Sequence, residues 1–403
     1  MRDLLKNGSA FFTRKQNNIL SAAFVIMVTY GLSNIVGLLK TRLLISYFFD
    51  TAGLLDVYYA AFVIPDTIFQ LLVIGSLSAA FIPVFSRLLV KKESEAWYVA
   101  SVSLNLVVFL LAGISLLIFW QAPSLSRLIA PGFTGEQITI MSTLLRILLI
   151  SQIFFSVSGF LTGIIQSHQR FLIPALAPLF YNFGIVLGTI ILTPSLGIYA
   201  PAIGVVIGSV LHVAIQLPLA RHLGFKFTFK LDISHTSVKE IVKLVPPRAL
   251  ALGIDQIEQF VSVVLASLLS AGSLSLLNVS RLLYTIPSTL FGVSIGQAAL
   301  PALSRESSLE DKDKFYHTFS SALIQVAFLA LPVSTLFIVL RIPIVRLVFG
   351  SSSFPWTATL LTAKALAILA LSSTFAAIMH LVIRGFYALH NTKTPLIVGF
   401  AAA

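Results

Sequence analysis

The chain has 403 residues, of which 57% are apolar and 10% charged, whereas soluble domains contain about 25% charged residues. A soluble fold of this length could not bury so much apolar surface, so the composition excludes that class and favours a protein embedded in a bilayer. The absence of cysteine excludes disulfides, thiolate catalysis and metal sites with cysteine ligands. The net charge of +12 is explained by an uneven distribution of cations across the membrane.

The first predicted membrane span follows a short basic segment. Residues 1–18 carry four cations and precede an apolar run from Ile19 to Leu39. The run exceeds the roughly 7–15 apolar residues of a signal peptide, and no small-residue cleavage site follows it. We therefore expect a cytoplasmic N-terminal segment, residues 1–18, and then a membrane helix.

Further apolar stretches follow along the whole chain. Crossing a bilayer requires about 20 mostly apolar residues. Ten stretches meet this requirement and an eleventh begins at Pro395, so the sequence predicts an all-α, polytopic membrane helix bundle. The ten predicted spans lie near residues 19–47, 57–85, 97–121, 138–165, 171–193, 199–219, 241–270, 273–303, 319–340 and 357–388.

Cations are concentrated in every second connection between these spans. One set of connections, together with residues 1–18, holds 17 lysines and arginines. The opposite set holds three, which are Arg127, Arg341 and Arg346. Because cytoplasmic loops carry an excess of Lys and Arg, this distribution predicts a cytoplasmic N-terminus.

The longest polar connection divides the chain into two predicted lobes. Ser237-Val-Lys-Glu240 has the spacing of a capping box and precedes an apolar run, so a helix is predicted to begin there. The prediction is an N-terminal lobe of residues 19–220, a cytoplasmic linker of residues 221–240, and a C-terminal lobe of residues 241–403.

The two lobes resemble each other at three places, with nearly constant spacing. Because the spacing covers six spans, both repeats have the same orientation and are predicted to be related by a pseudo-twofold axis along the membrane normal. Transporters that bind substrate between two lobes use this plan. The repeat places a twelfth helix near residue 420, so the second repeat is expected to be incomplete in this chain. The matching segments are Ile64–Phe69 with Ile286–Phe291, Pro83–Arg87 with Pro301–Arg305, and Pro174 with Pro395, at offsets of 222, 218 and 221 residues.

Ionisable residues inside a span are candidates for function. Lys40 and Arg42 lie two positions apart in the first span and therefore point in different directions. Ser33, Gly37 and Lys40 share a helix face, so Lys40 is the candidate cavity residue. The alternative for either cation is that its side chain extends to the membrane interface, and for Arg42 we favour this interpretation.

The seventh span carries Arg248, Asp255 and Glu258 on one stripe, at spacings of seven and three residues. One interpretation is a polar wall that binds a cation, a proton or a lipid headgroup. The other is a structural ion pair with a neighbouring helix. Two carboxylates on one stripe are also suitable for a coupling ion, such as a monovalent cation or a proton.

Three more charged residues are candidates. Arg281 lies near the start of the eighth span, where a cation is unfavourable, so we interpret it as a cavity residue. Asp56 occupies a similar place in the second span, and the alternative for Asp56 is a favourable interaction with the helix dipole. His380 and Arg384 share a face of the tenth span.

Other patterns predict helix packing, and none predicts catalysis. Glycine pairs at Gly159/Gly163, Gly204/Gly208 and Gly292/Gly296 are typical of closely packed membrane helices. No zinc-protease, P-loop or nucleophile-elbow motif is present, and we expect no cofactor, no metal and no enzymatic activity. Gly37, Pro65 and Pro287 are predicted hinge or packing positions.

Several stretches together resemble the MurJ (MviN) proteins, the lipid II flippases of the multidrug/oligosaccharidyl-lipid/polysaccharide exporter superfamily. The resemblance extends from about residue 20 to residue 399. It is carried by Gly37 to Arg87 with Asp56, Ile64-Pro65, Gly75, Ser78 and Phe81-Ile-Pro83; by Gln169-Arg170-Phe171, Pro174, Ala177-Pro178, Pro247-Arg248, Ser280-Arg281-Leu282, Ile286-Pro287 and Leu300-Pro301; and by Arg384-Gly-Phe-Tyr387-Ala with Thr392-Lys-Thr-Pro395.

The resemblance implies a flippase for an undecaprenyl-pyrophosphate-linked peptidoglycan precursor, with a cationic cavity between two lobes. It implies a role in cell wall biogenesis, a bacterial inner-membrane location, and membrane lipids but no nucleic acid as partners. Lys40, Asp56 and Arg281 carry over as substrate-binding residues, and Arg248 and Arg384 are plausible additions. Alternatives are a polysaccharide or O-antigen-type flippase, a multidrug exporter, or a polyprenyl-phosphate enzyme.

The sequence departs from the family pattern in its first two spans. The pattern Ser-Arg-x-x-Gly-x-x-Arg-acid becomes Ser33-Asn-Ile-Val-Gly37-Leu-Leu-Lys40-Thr41, and the Arg-Arg pair after the proline becomes Phe69-Gln70. Lysine cannot form the two parallel hydrogen bonds that arginine donates to a phosphate. The resemblance therefore implies a pyrophosphate held by fewer charges, or a different headgroup.

Overall fold

The computed structural model describes residues 19–49, 53–74, 80–168, 170–308, 312–389, 391 and 393–402. Within these ranges nearly all residues are helical and no strand occurs, as the composition predicted. The α-helices are α1 Ile19–Phe48, α2 Leu54–Ala60, α3 Val63–Ile68, α4 Ile82–Lys91, α5 Glu93–Ile129, α6 Gly135–Ser167, α7 Leu172–Leu196, α8 Tyr199–His222, α9 Thr236–Ser267, α10 Ser273–Pro287, α11 Ser294–Ser308, α12 Lys312–Val339, α13 Arg341–Phe349, α14 Trp356–Ala388 and α15 Lys393–Ala402.

Seven helical segments of the described ranges are long and apolar enough to cross a membrane. They are Leu54–Ile74, α5, α6, α7, α8, α12 and α14. The other three predicted spans are also helical, as α1, α9, and the region that divides into α10 and α11. The chain is a multi-pass membrane protein.

Two spans change their helical type close to a proline. Pro65 is buried in α3, and the π-helix Phe69–Ile74 follows directly. Pro287 is buried at the end of α10, and the π-helix Ser288–Val293 follows it. Because proline donates no backbone hydrogen bond, it leaves a carbonyl of the preceding turn without its usual partner. The two halves of the chain thus share a local irregularity at the places where the sequence repeat aligns.

The described chain forms two compact units. The N-terminal unit contains the first helix up to Leu44 and Gly53–Ala271, and the C-terminal unit contains Ile45–Phe49 and the described residues from Gly272 onward. Helix α9 therefore packs with the N-terminal unit, where Thr67 of α3 donates a hydrogen bond to Gln256 Oε1 at 3.3 Å. The lobes of residues 19–220 and 241–403 follow the repeat, and they stay a prediction.

The start of α9 differs in detail from the predicted capping box. The helix begins at Thr236, and its N-cap residue is His235, which makes no capping hydrogen bond through its side chain. Glu240 forms an ion pair with Arg87 of α4. The position of the helix was predicted correctly, but the capping box was wrong because Glu240 bonds a cation from another helix. A capping box does occur at Thr134 and Gln137, where α6 begins.

Helices α7 and α8 pack in close contact through glycines, as the Gly204/Gly208 pair predicted. A Cβ atom built on Gly188 would lie 2.5 Å from the Cα atom of Gly204, and one on Gly184 would lie 2.4 Å from the Cα atom of Gly208. Gly292 is equally close to α14, at 2.5 Å from the carbonyl oxygen of Ala377. The absence of a side chain at these positions lets the helix backbones approach.

Replacing Gly188 by alanine should destabilise the protein by about 1–3 kcal/mol, because the added methyl group must push α7 and α8 apart. Gly113→Ala is the matched control, since a Cβ there has no atom within 4 Å. The control should be neutral or stabilising by roughly 0.5–1 kcal/mol, because glycine weakens a helix interior. Thermal unfolding in detergent measures the stability of both variants. Equal changes in stability for Gly188→Ala and Gly113→Ala would contradict the packing argument.

Candidate substrate-binding site

Lys40 lies in α1, and its surroundings come from two other helices of the N-terminal unit. The side chain is half-buried, and Nζ lies 5.9 Å from the centroid of the Tyr181 ring of α7. A cation over an aromatic face is attracted by the ring electrons, and more strongly when water is excluded. One turn earlier, the carbonyl of Gly37 accepts a hydrogen bond from Thr41 Oγ1 at 3.0 Å. Lys40 thus lies beside an aromatic ring of α7, and its role as a cavity residue stays a prediction.

Asp66 is the acidic partner of Lys40, and the sequence analysis did not select it. The two side chains attract each other electrostatically across α1 and α3, without a direct ion pair in the described part of the chain. Asp66 also interacts with the phenols of Tyr58 and Tyr181. A carboxylate at membrane depth is expensive unless a cation compensates it. The available signal was an acid directly after Pro65, inside an apolar stretch.

Asp56 lies in the first turn of α2 and is only 3% exposed. It interacts electrostatically with Tyr59, and a side-chain hydrogen bond joins Tyr59 to Thr41 of α1. Its position is the one that the helix-dipole alternative requires. A direct contact between Asp56 and a substrate stays a prediction.

A buried polar network lies in the same unit, beyond the ring of Tyr181. Phe155 contacts both Tyr181 and His212, at ring distances of 5.1 and 5.6 Å. Ser158 Oγ lies 2.5 Å from His212 Nδ1, and Gln216 Nε2 donates to the same Ser158 oxygen at 2.5 Å. Thr162 donates to Gln216 Oε1 at 2.7 Å. The four polar side chains satisfy one another, which is required where water is absent.

A cavity of about 380 Å³ adjoins this network. Its lining is mostly apolar, with Thr162, Gln166 and His212 as polar members. Sequence reasoning did not find this cavity, because its walls come from separate helices. The apolar lining consists of Phe69, Ile74, Ile82, Phe155, Gly159, Gly163, Phe171, Pro174, Ala175 and Pro178.

The predicted stripe of α9 is only partly described. The side chains of Arg248 and Asp255 lie outside the described part of the chain, and Glu258 is exposed. The polar contact of α9 with α3 is made by Gln256, two positions before Glu258. The alternatives for the stripe, a binding wall or a structural ion pair, both remain open. Among the described residues, no group of three histidines or acids could hold a metal ion.

The C-terminal unit holds the remaining candidates. Arg281 of α10 is half-buried, and the neighbouring Ser280 fixes α10 to α14 by donating to the carbonyl oxygen of Thr362 at 3.1 Å. Arg384 of α14 is also half-buried and interacts electrostatically with His380, which is exposed. The structure therefore places Lys40 in one unit and Arg281 and Arg384 in the other.

The fold and these charged side chains define the class of protein. Several helices that are long and apolar enough to cross a membrane, with charged side chains half-buried among them, define a multi-pass membrane protein of the transporter type. Comparison with known proteins gives the particular family. The profile of the family described as Lipid II flippase MurJ matches residues 45–403. The chain belongs to this family, as the resemblance of its motifs implied.

Named relatives agree. The chain is 25% identical over 386 residues to the probable lipid II flippase MurJ of Buchnera aphidicola subsp. Baizongia pistaciae, covering 94% of this chain and 75% of that protein. It is 26% identical over 398 residues to the lipid II flippase MurJ of Burkholderia cenocepacia, again covering 94% and 75%. The chain thus spans about three quarters of the length of these relatives.

Solved structures show the same fold. A lipid II flippase MurJ in an inward closed conformation matches with a TM-score of 0.81 and 27% identity, covering 93% of this chain and 78% of that chain. An inward-facing multidrug resistance MATE family transporter of the MOP superfamily matches with a TM-score of 0.73 at 15% identity, covering 94% and 87%. The second likeness concerns the fold alone. The family match does not favour the polysaccharide, multidrug or enzyme alternatives.

Proposed function

We propose that this chain moves lipid II, a polyprenyl-pyrophosphate glycolipid, from the cytoplasmic to the outer leaflet of the bacterial inner membrane by alternating access. The observation that carries the proposal is the family match over residues 45–403. Lys40 supports it, because this cation lies within a predicted span, where an anionic headgroup would have to pass. The polyprenyl tail stays in the lipid while the headgroup crosses.

The distribution of cations supports the orientation. With the N-terminus in the cytoplasm, 17 lysines and arginines fall on the cytoplasmic side and three on the outer side. The headgroup is made in the cytoplasm, so it is taken up on the basic side. Peptidoglycan synthesis consumes it on the outer side.

The pyrophosphate binds Lys40 and Arg281, with Arg248, Arg384 and Asp56 as further members of the site. Lys40 acts as a single point charge, whereas arginine donates two parallel hydrogen bonds to a phosphate. Asp66 compensates Lys40 while the site is empty, because the two charges attract each other. An entering pyrophosphate competes with this carboxylate for the lysine.

Alternating access requires helices that bend. The π-helices that follow Pro65 and Pro287 support a hinge role for these prolines, because π segments within α-helices are frequent at functional sites. Gly37 is the third proposed hinge, one turn before Lys40. A Cβ on Gly37 would meet no atom within 4 Å, so close helix packing does not require a glycine at this position.

The membrane potential supplies one source of energy. It is negative on the cytoplasmic side, so it favours outward movement of an anion by about 2.3 kcal/mol per charge at 100 mV. A monovalent cation or a proton at Asp255 and Glu258 supplies a second, coupled source. Two acids at a spacing of three residues support this assignment, because they share one face of α9.

Arg281→Ala should lower the rate of lipid II flipping at least about ten-fold, because a hydrogen bond to a charged group contributes about 1.5–3 kcal/mol. The assay uses the full chain in vesicles and measures how fast labelled lipid II becomes accessible to an impermeant quencher. Arg305→Ala is the matched control, since Arg305 is exposed at the end of α11. If the Arg281→Ala variant flipped lipid II at the rate of the Arg305→Ala control, the proposed site would be rejected. If vesicles with the wild-type chain flipped lipid II no faster than vesicles without protein, the proposed function would be rejected.

A further inference from the structure

The connection between α8 and α9 is an extended strap that lies along a membrane helix. Residues 223–235, called the strap here, have no regular secondary structure over most of their length. At one end lies Gly224, with φ of 106°. A Cβ atom built on Gly224 would lie 3.2 Å from the Trp97 ring, so the backbone runs close to α5 here. Further along, the Phe229 ring lies 5.7 Å from that of Phe109. The strap therefore follows the first turns of α5.

Backbone carbonyls of the strap are satisfied by two buried side chains of α5. Asn105 Nδ2 donates to the carbonyl oxygens of Thr228 and Lys230, at 2.9 and 3.0 Å. Ser101 Oγ donates to the carbonyl oxygen of Lys226 at 3.3 Å. Alternate carbonyls of an extended chain face the same side, so one edge of the strap is bonded to α5. Such internal satisfaction is what a non-helical segment needs at the edge of a bilayer.

The strap also carries a row of exposed apolar side chains. Phe227, Phe229, Leu231 and Ile233 are 58%, 67%, 52% and 60% exposed, at every second position. Helix α5 has 37 residues, about 55 Å at 1.5 Å each, and so extends well beyond a hydrocarbon core of about 30 Å. The first turns of α5, which the strap follows, therefore lie at a membrane interface. Four large apolar side chains are therefore exposed at this level.

Basic side chains accompany this apolar row. Arg221, at the end of α8, and Lys226 line a cavity of about 470 Å³ together with Leu217, Phe225 and Phe227. The nearby acid Asp232 is already bonded by the hydroxyls of Ser234 and Tyr98, at 2.5 and 2.8 Å. Hydrogen bonds from Ser234 and then Tyr98 lower the pKa of Asp232 to about 2. Asp232 is thus bonded to Ser234 and Tyr98, and among the described residues no ion pair joins it to Arg221 or Lys226. Both cations are exposed.

We propose that the strap and this cavity bind an anionic phospholipid, with Arg221 and Lys226 on its phosphate and the strap's apolar row among its acyl chains. The charges of the cavity match an anionic headgroup, and basic pockets at the cytoplasmic side of membrane proteins suit such lipids. A protein strand is a poorer occupant, because the carbonyls that it would pair with are bonded to Ser101 and Asn105. The site is separate from the substrate-binding residues proposed above.

The test measures binding of phosphatidylglycerol to the full chain in detergent, by native mass spectrometry and by thermal stabilisation. The Arg221→Gln/Lys226→Gln variant should bind phosphatidylglycerol about 30-fold more weakly than the wild type, since both headgroup contacts are lost. Lys239→Gln/Lys243→Gln is the matched control, because it removes two exposed cations from the same side of the chain. The control should bind like the wild type.

Three outcomes would overturn the proposal. The first is equal affinity of the Arg221/Lys226 variant and the control. The second is equal stabilisation of the wild type by phosphatidylcholine, which would show that the site has no preference for charge. The third has two parts: farnesyl pyrophosphate displaces phosphatidylglycerol from the wild type, and the Phe227→Ser/Phe229→Ser variant binds phosphatidylglycerol as tightly as the wild type. Together these two results would assign the cavity to the transported lipid. Circular dichroism of each variant verifies its helical content.

Discussion

Lys40→Ala should abolish lipid II flipping and also destabilise the N-terminal unit. The substitution removes the cation proposed to bind the pyrophosphate, and it leaves Asp66 at membrane depth without its compensating charge. Leaving a buried polar group without its partner costs about 1–3 kcal/mol. Flipping by the full chain in vesicles and thermal unfolding in detergent measure the two effects on the same preparation.

Two controls make this result specific. Lys40→Arg keeps the positive charge and should retain most of the flipping activity. Lys364→Ala removes an exposed cation from α14, another membrane span, and should change neither flipping nor stability by more than about 0.5 kcal/mol. If Lys40→Ala flipped lipid II as fast as Lys364→Ala, Lys40 would have no part in the binding site.

Lys40 could be selected as a candidate site residue from the sequence, whereas Asp66 could not. A cation within a span, on one helix face with Gly37, is visible as a pattern of spacing. The pairing with Asp66 depends on how α1 and α3 pack, and no local pattern fixes that. No local pattern indicates either that the ring of Tyr181, well over a hundred positions away, lies beside Lys40.

Apolar stretches predicted where the helices lie, since a bilayer requires apolar segments of a definite length. They did not predict how each span is built. The second span consists of α2, α3 and a π-helix, because Pro65 and a turn at residues 61–62 interrupt it. The hydrogen bond between Thr67 of α3 and Gln256 of α9 could not be predicted either, because it depends on how the two helices pack.

The strap shows a third limit. Residues 221–240 were interpreted as a polar cytoplasmic linker because charged residues are frequent there. Phe227, Phe229, Leu231 and Ile233 alternate with polar residues, which is the pattern of an extended segment with one apolar face. The alternation was visible, but its support by Ser101 and Asn105 was not, because both lie inside an apolar span of another helix.

The double variant Lys40→Ala/Asp66→Asn should recover most of the stability that Lys40→Ala loses, but not its flipping activity. Without the carboxylate there is no charge left to compensate, and replacing both partners of an interaction together can be nearly neutral. The pyrophosphate, however, still lacks its cation. Unfolding of the wild type, both single variants and the double variant gives the coupling energy between the two side chains.

Asp66→Asn alone should keep flipping and reach half-maximal rate at a lower lipid II concentration, because the anion no longer competes with a carboxylate for Lys40. Comparing the wild type, the two single variants and the double variant distinguishes two roles of Lys40, which are binding the pyrophosphate and neutralising Asp66. Additive destabilisation would mean that the two side chains do not interact. Recovery of flipping in the double variant would mean that Lys40 serves only to neutralise Asp66, and the pyrophosphate contact would have to be assigned to Arg281 and its neighbours in the C-terminal unit.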